Sequence, residues 1–339
     1  MLVMGGGGPA PVRGTPARAS ALAPEADRLY RLGRYYWQLR TLEGMTRSIG
    51  YFRAVVAAAP DDVLGFAGLA DAYAELAEYR CDGGPPCARE TALAARYAAA
   101  ALTRDPNAAA ALTSQARIID LADGDPDRAD AWYRRAIAAD PRYAIAHEWR
   151  GLELLSRGRL TAARAELTHA AQLEPVATVI YAGLARAAFY QRDYRVALAY
   201  AREAIALNPR RVESLVVIGL ASEELGRASA ARTAFRRLAA VDADVPDERA
   251  LEAALSVRAG RRTPGLRALD AIVRSHPRGD YALLDAALGY VAAGRPATAL
   301  RLLPRVRFGY GLSRTWLALD PRLDPVRRDR RFASWTRAD

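Results

Sequence analysis

Two cysteines and three histidines are the residues of this chain with the readiest chemistry. Cys81 and Cys87 stand six positions apart in "CDGGPPCARE", around a Gly-Gly-Pro-Pro turn. A CxxC redox pair needs closer spacing and a four-ligand zinc site needs further cysteines, so the choice is between a disulfide and two free thiols. A bridge closing so short a loop stabilises by at most about 2–3 kcal/mol and persists only in an oxidising compartment. The expectation is a Cys81–Cys87 disulfide, conditional on export. His147, His169 and His276 show none of the i, i+4 spacing that announces metal ligands, and read as packing or solvated side chains. "GGGG" at residues 5–8 follows no strand and opens no helix, and no GxSxG, Walker A or GxGxxG motif occurs in a strand-turn-helix context. The chain therefore reads as non-enzymatic, with no metal, no cofactor and no small-molecule substrate.

The elements that would position any site are set out by proline. Pro106, Pro141, Pro175, Pro209 and Pro277 close segments ending "RDP", "ADP", "LEP", "LNP" and "SHP", at steps of 35, 34, 34 and 68, with Ala243 at the missing step. Small residues recur inside each step: Gly151, Gly158, Ala163 and Ala170, then Gly219, Gly226, Ala231 and Phe235 at corresponding offsets, then Gly260, Gly294 and Ala299. Apolar residues at three- and four-residue spacing make each unit two amphipathic helices, with the proline beginning the next unit where it breaks no helix. Gly151 and Ala163 fall where paired helices must approach closely; Gly158, Gly226 and Gly294 fall in the turn, where positive φ is cheap only for glycine.

This landmark set resembles the tetratricopeptide repeat family, most specifically over Asn107 to Pro209 and further to Phe308. The resemblance implies an all-α, right-handed superhelical solenoid of about eight helix-turn-helix repeats over 25–308, closed by a C-terminal capping helix in a basic cap over 309–339. Residues 1–24, rich in Gly, Pro and Ala, read as a flexible arm. The unit from Leu69 to Pro106 is about 12 residues too long, which predicts an inserted hairpin loop around 78–90 flanked by the two cysteines. A wider resemblance, carried by "LYRLGRYYWQLRT", "SIGYFRAVVAAAPDD", "GFAGLADAYAEL" and the terminal "LALDPRLDPVRRDRRFASW", is to the repeat region that follows the membrane segment in bacterial winged-helix activators and membrane serine/threonine kinases. No winged helix, kinase motif or membrane helix accompanies it, so the expectation is either a stand-alone descendant of that sensor or a part of a longer product.

Function then rests on surface. In such a stack the first helix of each unit lines the concave face, which places Arg117, Asp120, Glu148, Leu152, Arg186, Phe189, Tyr190, Glu213, Leu220, Glu223 and Glu224 in a partner-binding groove. The clamp by which some family members hold chaperone C-termini uses groove lysine and asparagine; this chain has no lysine and only Asn107 and Asn208, both beside unit-closing prolines. Net charge is +11, of which +10 lies from Arg258 onward, where 17 Arg face 7 acidic residues. Arg301, Arg305, Arg307, Arg314, Arg322, Arg327, Arg328, Arg330 and Arg331 form a basic patch suited to capping the stack, to lipid phosphates or, the preferred reading, to a protein partner with an acidic surface. Nucleic acid is disfavoured because no binding motif accompanies the charge. The wider resemblance implies association with a membrane-bound complex on the periplasmic or extracytoplasmic side, whereas the lack of a recognisable export signal favours the cytoplasm.

Overall fold

The computed structural model describes residues 23–80, 85–241, 246–275, 281–306 and 317–336. Helices come in eight consecutive antiparallel pairs: α1 (Pro24–Gln38) with α2 (Leu42–Ala58), α3 (Val63–Arg80) with α4 (Pro85–Arg104), α5 (Ala109–Asp123) with α6 (Pro126–Ala139), α7 (Ala144–Ser156) with α8 (Leu160–Leu173), α9 (Thr178–Tyr190) with α10 (Tyr194–Leu207), α11 (Val212–Glu224) with α12 (Ala228–Ala239), α13 (Pro246–Arg258) with α14 (Arg262–Ser275), and α15 (Tyr281–Ala292) with α16 (Pro296–Leu302). A 3₁₀ turn (Pro321–Leu323) and the short helices α17 (Asp324–Arg327) and α18 (Arg330–Trp335) follow. The protein is an all-α solenoid.

The proline ruler has a local cause. Asp105, Asp140 and Asn208 accept the backbone N–H two residues on at 2.9, 2.9 and 3.1 Å, so the Asp/Asn-Pro corner between units is an Asx turn whose proline lies outside both helices. Within units the turn is set by residues at 34-residue spacing: Gly124, Gly158, Gly226, Gly260 and Gly294 all have φ between 58° and 89°. After four of them the next N–H reaches back to the carbonyl five positions earlier in a Schellman closure, as from Arg159 to Leu154 at 2.9 Å. The remaining rung, at 192, is an arginine with φ 64° that makes the same closure, Asp193 N–H to Ala188 O at 2.9 Å. A Cβ on Gly151 would come within 2.7 Å of Leu167, which is the close approach the sequence predicts there.

The extra length in the second unit corrects the inserted-loop expectation. Residues 78–80 and 85–90 belong to α3 and α4, which run to 18 and 20 residues, so the excess lengthens the two helices. Leu69 to Ala77 are buried at every position, and Ala94, Ala98 and Ala101 form the buried stripe of α4 that faces α3 and its neighbours. Cys81 and the side chain of Cys87 lie outside the described residues, and so does the disulfide expectation. Residues 1–22 of the predicted arm lie outside them too.

The first helices of the interior units, α3, α5, α7, α9 and α11, are largely buried, because they are packed both by their own partners and by neighbouring units. One junction departs from the pattern: α13 packs closely on α14 and α15 but barely touches α12. Among the described residues no helix is long and apolar enough to cross a membrane.

Candidate functional site

The concave face of the first four units is occupied by side chains from the end of α1. Trp37 is 1% exposed and lies 5.8 Å, ring to ring, from Trp149 of α7. The Arg40 and Arg34 guanidinium groups stack over the Trp37 ring at 3.7 and 4.0 Å. Arg40, in the α1–α2 turn with φ 50°, then forks between two helices of the groove, pairing with Glu75 of α3 and with Glu148 of α7 at 2.8 Å. Arg34 pairs with Asp71 at 3.0 Å, Asp71 also accepts from Ser114 of α5, and Gln38 reaches Glu174 beyond α8. The turn residue is thus a cross-brace over three units.

The carboxylates of this cluster do not titrate alike. Burial pushes Glu75 up, but the Arg40 and Arg117 guanidinium groups outweigh it and hold its carboxyl below the usual range. Burial pushes Glu148 up to about 7 against the pull of Arg40, whose charge Glu75 shares. Asp71 is raised by burial to about 6 in spite of Arg34 and Ser114. One turn further along, Glu153 is pushed up to about 8, first by burial and then by the Asp120 carboxylate hydrogen-bonded to it, so this pair holds one proton near neutrality. Taking Arg40 out of such a cluster leaves carboxylates buried without their counter-charge.

In the later units the filling comes from the other end of the chain. Leu317, Leu323, Val326, Phe332 and Trp335 join the core continuous with α15 and α16. Asp320, 0% exposed, grips Arg322 through both oxygens at 2.6 and 3.0 Å, and Arg322 reaches the phenol of Tyr190 at the end of α9. Outside this buried group Arg192 donates to both oxygens of Asp324 at 2.6 and 2.9 Å. That fork is half exposed, and Arg192 and Arg327 hold the Asp324 carboxyl below its usual range.

A sequence model of the tetratricopeptide repeat matches residues 118–176 and 183–246. The chain carries tetratricopeptide repeats over those residues. Its repeats are similar in fold to PilF of Pseudomonas aeruginosa, at 21% identity and a TM-score of 0.50, covering 63% of this chain and 94% of that one. They are also similar in fold to a chain of the APC/C hetero-tetramer Cut9–Hcn1, at 14% identity and a TM-score of 0.55, covering 81% of this chain and 51% of that one. No curated protein matches the chain.

The repeat architecture places the predicted groove residues on the concave helices, yet most are turned into the molecule. Arg117 and Glu148 are buried in the cluster around Trp37, and Asp120 is tied to Glu153. Leu152 packs against Gly183 and the α8–α9 core; Phe189, Tyr190 and Leu220 are core residues, and Arg186 is half-buried. Of these only Glu213 and Glu224 are exposed, Glu213 being paired with Arg211 at 3.0 Å, while Glu223 accepts from Arg258 at 2.6 Å. Glu148 and Tyr190 are covered by Arg40 and Arg322 from the two ends of the chain, and Leu152, Phe189 and Leu220 by packing between repeats.

The basic patch divides as well. Arg322 and Arg327 turn inward to Asp320 and Asp324, Arg305 is half-buried, and Arg331 forks onto Asp329 at 2.8 Å. Arg301, Arg328 and Arg330 are exposed, whereas Arg307 and Arg314 lie outside the described residues. His147 and His169 come together, ring centroids 4.3 Å apart, both facing the carbonyl of Pro141, with His147 Nδ1 against Glu166 at 2.7 Å. No group of three or more His, Cys, Asp and Glu suited to a metal occurs among the described residues, and His276 lies outside them. Trp37, Arg40, Glu75 and Asp320 are the groove residues that sequence reasoning missed. One signal was available: arginine stands at 192, on a ladder whose other rungs are glycine.

Proposed function

We propose that the protein is a non-enzymatic scaffold that holds protein partners, acting as a subunit of a larger assembly. The observation that carries this reading is a solenoid of eight helix pairs whose concave interior is taken up by its own two ends, so that its available chemistry is contact chemistry on the remaining surface. The exposed Arg301, Arg328 and Arg330 at the capped end suit a partner with an acidic face, and a membrane-bound complex on the extracytoplasmic side is the setting the sequence resemblance favours. The full chain used as bait, beside an Arg328→Glu/Arg330→Glu variant, tests this. A specific partner recovered by the wild type and lost with the variant, or lost at high salt, supports the reading; equal recovery removes the basic end from it.

A second reading, a sensor module of a winged-helix regulator or membrane kinase, is favoured by the two terminal segments that carry that resemblance, since both are the segments that close the stack. Its check is the genomic DNA in frame before Met1: a membrane helix and winged helix there support it, and a nearby stop codon counts against it.

A further inference from the structure

The junction between α12 and α13 leaves a cleft of about 470 Å³ where the solenoid's regular stacking is interrupted. Its floor is apolar: Phe235 and Leu238 from α12 and Leu255 from α13 lie buried at its base, and Leu251 from α13 is half-buried at its mouth. At the preceding junctions, α8 on α9 and α10 on α11, the equivalent faces close directly on one another. The volume is about that of one turn of helix, ~420 Å³ for a cylinder 10 Å across rising 5.4 Å. The rim is positive. Arg232 and Arg236 from α12 and Arg261 from the α13–α14 turn are all exposed on the cleft, against a single acidic neighbour, Glu252, among the described lining residues.

We propose that this cleft docks an acidic amphipathic helix of a protein partner. The inference rests on the scaffold reading above and adds the place and the chemistry. A helix is the matching shape because the two walls are helices whose apolar faces are elsewhere satisfied by helix-on-helix packing, so leucine-like anchors at i, i+3 and i+4, one turn of helix, continue the stack. Acidic flanks are selected because three guanidinium groups ring an apolar floor, which both attracts carboxylates and rejects the basic helices that an uncharged cleft would accept equally.

The test uses the full chain and a fluorescently labelled synthetic helix with leucine at that spacing and glutamate elsewhere, beside a counterpart carrying glutamine for glutamate. Saturable binding of the acidic helix is expected, weakened by about tenfold or more for the glutamine counterpart, for an Arg232→Glu/Arg236→Glu chain and for a Leu251→Glu chain. All three substituted positions are partly or fully exposed, and circular dichroism confirms that the variants keep their helices. No saturable binding, equal binding of both peptides, or binding indifferent to the cleft substitutions overturns the proposal. Sedimentation showing a dimer of the unliganded chain that Leu251→Glu dissolves assigns the cleft to a second copy and equally overturns it. A partner captured by the wild type and captured unchanged by the Arg232→Glu/Arg236→Glu chain keeps the scaffold and removes the cleft, which separates the two failures.

Discussion

The two ends of this solenoid are closed by the same device in opposite surroundings. At the N-terminal end Arg40 reaches from an intra-unit turn into a buried cluster, and its two carboxylate partners sit on helices 35 and 108 positions away in the chain. At the C-terminal end Arg192 reaches from the corresponding turn of another unit to Asp324, 132 positions away, in a pair half open to water. The difference lies in what backs each arginine. Behind Arg40 are charges, Asp71, Glu75 and Glu148, whose burial is tolerable only while the guanidinium groups stay. Behind Arg192 is a hydrophobic seal, Leu317, Leu323, Val326, Phe332 and Trp335, which would hold without the ion pair. One closure is electrostatic and brittle, the other apolar and graded.

The sharpest break in that comparison is Arg40→Met. It strands two buried carboxylates, and urea unfolding followed through Trp37 and Trp149 should show a loss of about 3–5 kcal/mol confined to the first units. A loss below about 1 kcal/mol would mean that the cluster protonates and relaxes at little cost. Next comes Phe332→Ala, expected to cost about 3 kcal/mol through the cavity it leaves in the seal, read as an earlier transition of the last units while the first keep theirs.

Proton linkage should divide the two ends by sign. Glu148 and Glu153, with folded-state pKa raised to about 7 and about 8, contribute stability that is complete below their unfolded values near 4.5 and is lost as pH rises through the folded ones. Asp324 and Asp329 are lowered, Asp329 to about 2, so their contribution is present above the unfolded value near 3.8 and lost as pH falls. Between pH 5 and pH 8 the first units should weaken by on the order of 1–3 kcal/mol in hydrogen-exchange protection, while the cap stays level and loosens only below about pH 4. A first half that strengthens over that range would refute the assignment.

The smallest effect concerns Arg192 itself. A half-exposed fork contributes at most about 1 kcal/mol, and a non-glycine residue in the left-handed region costs about 1 kcal/mol. Arg192→Gly should therefore leave overall stability unchanged within about 0.5 kcal/mol, whereas Arg192→Ala, which keeps the strain and drops the pair, should lose about 1 kcal/mol.

What was legible in the sequence is what the sequence encodes at short range. The 34-residue spacing, the turn glycines, the Asp-Pro corners and the close approach at Gly151 each depend on neighbours within one unit, and each stands in the structure where residue type required it. The occupancy of the groove did not read out, because it depends on pairs such as Arg40 with Glu148 that no periodicity links. A regular repeat pattern says which faces point inward; it is silent on which end of the chain returns to cover them. The second unit shows the same limit on a smaller scale: surplus residues around Cys81 read as a loop because Gly and Pro are turn formers, but Pro85 begins a helix, where its missing N–H costs nothing.

The two arginine turns also determine how the molecule would carry load. Each ties a chain end to interior repeats, so force applied at the termini enters the stack through a clamp and bypasses the outermost helix pair. Such a pull should come undone from the C-terminal side first, where water can replace the Arg192–Asp324 fork as it opens, and hold longest at Arg40, where no solvent is at hand to take over its partners. In the scaffold role proposed above, that would give the protein a yielding end and a fixed one.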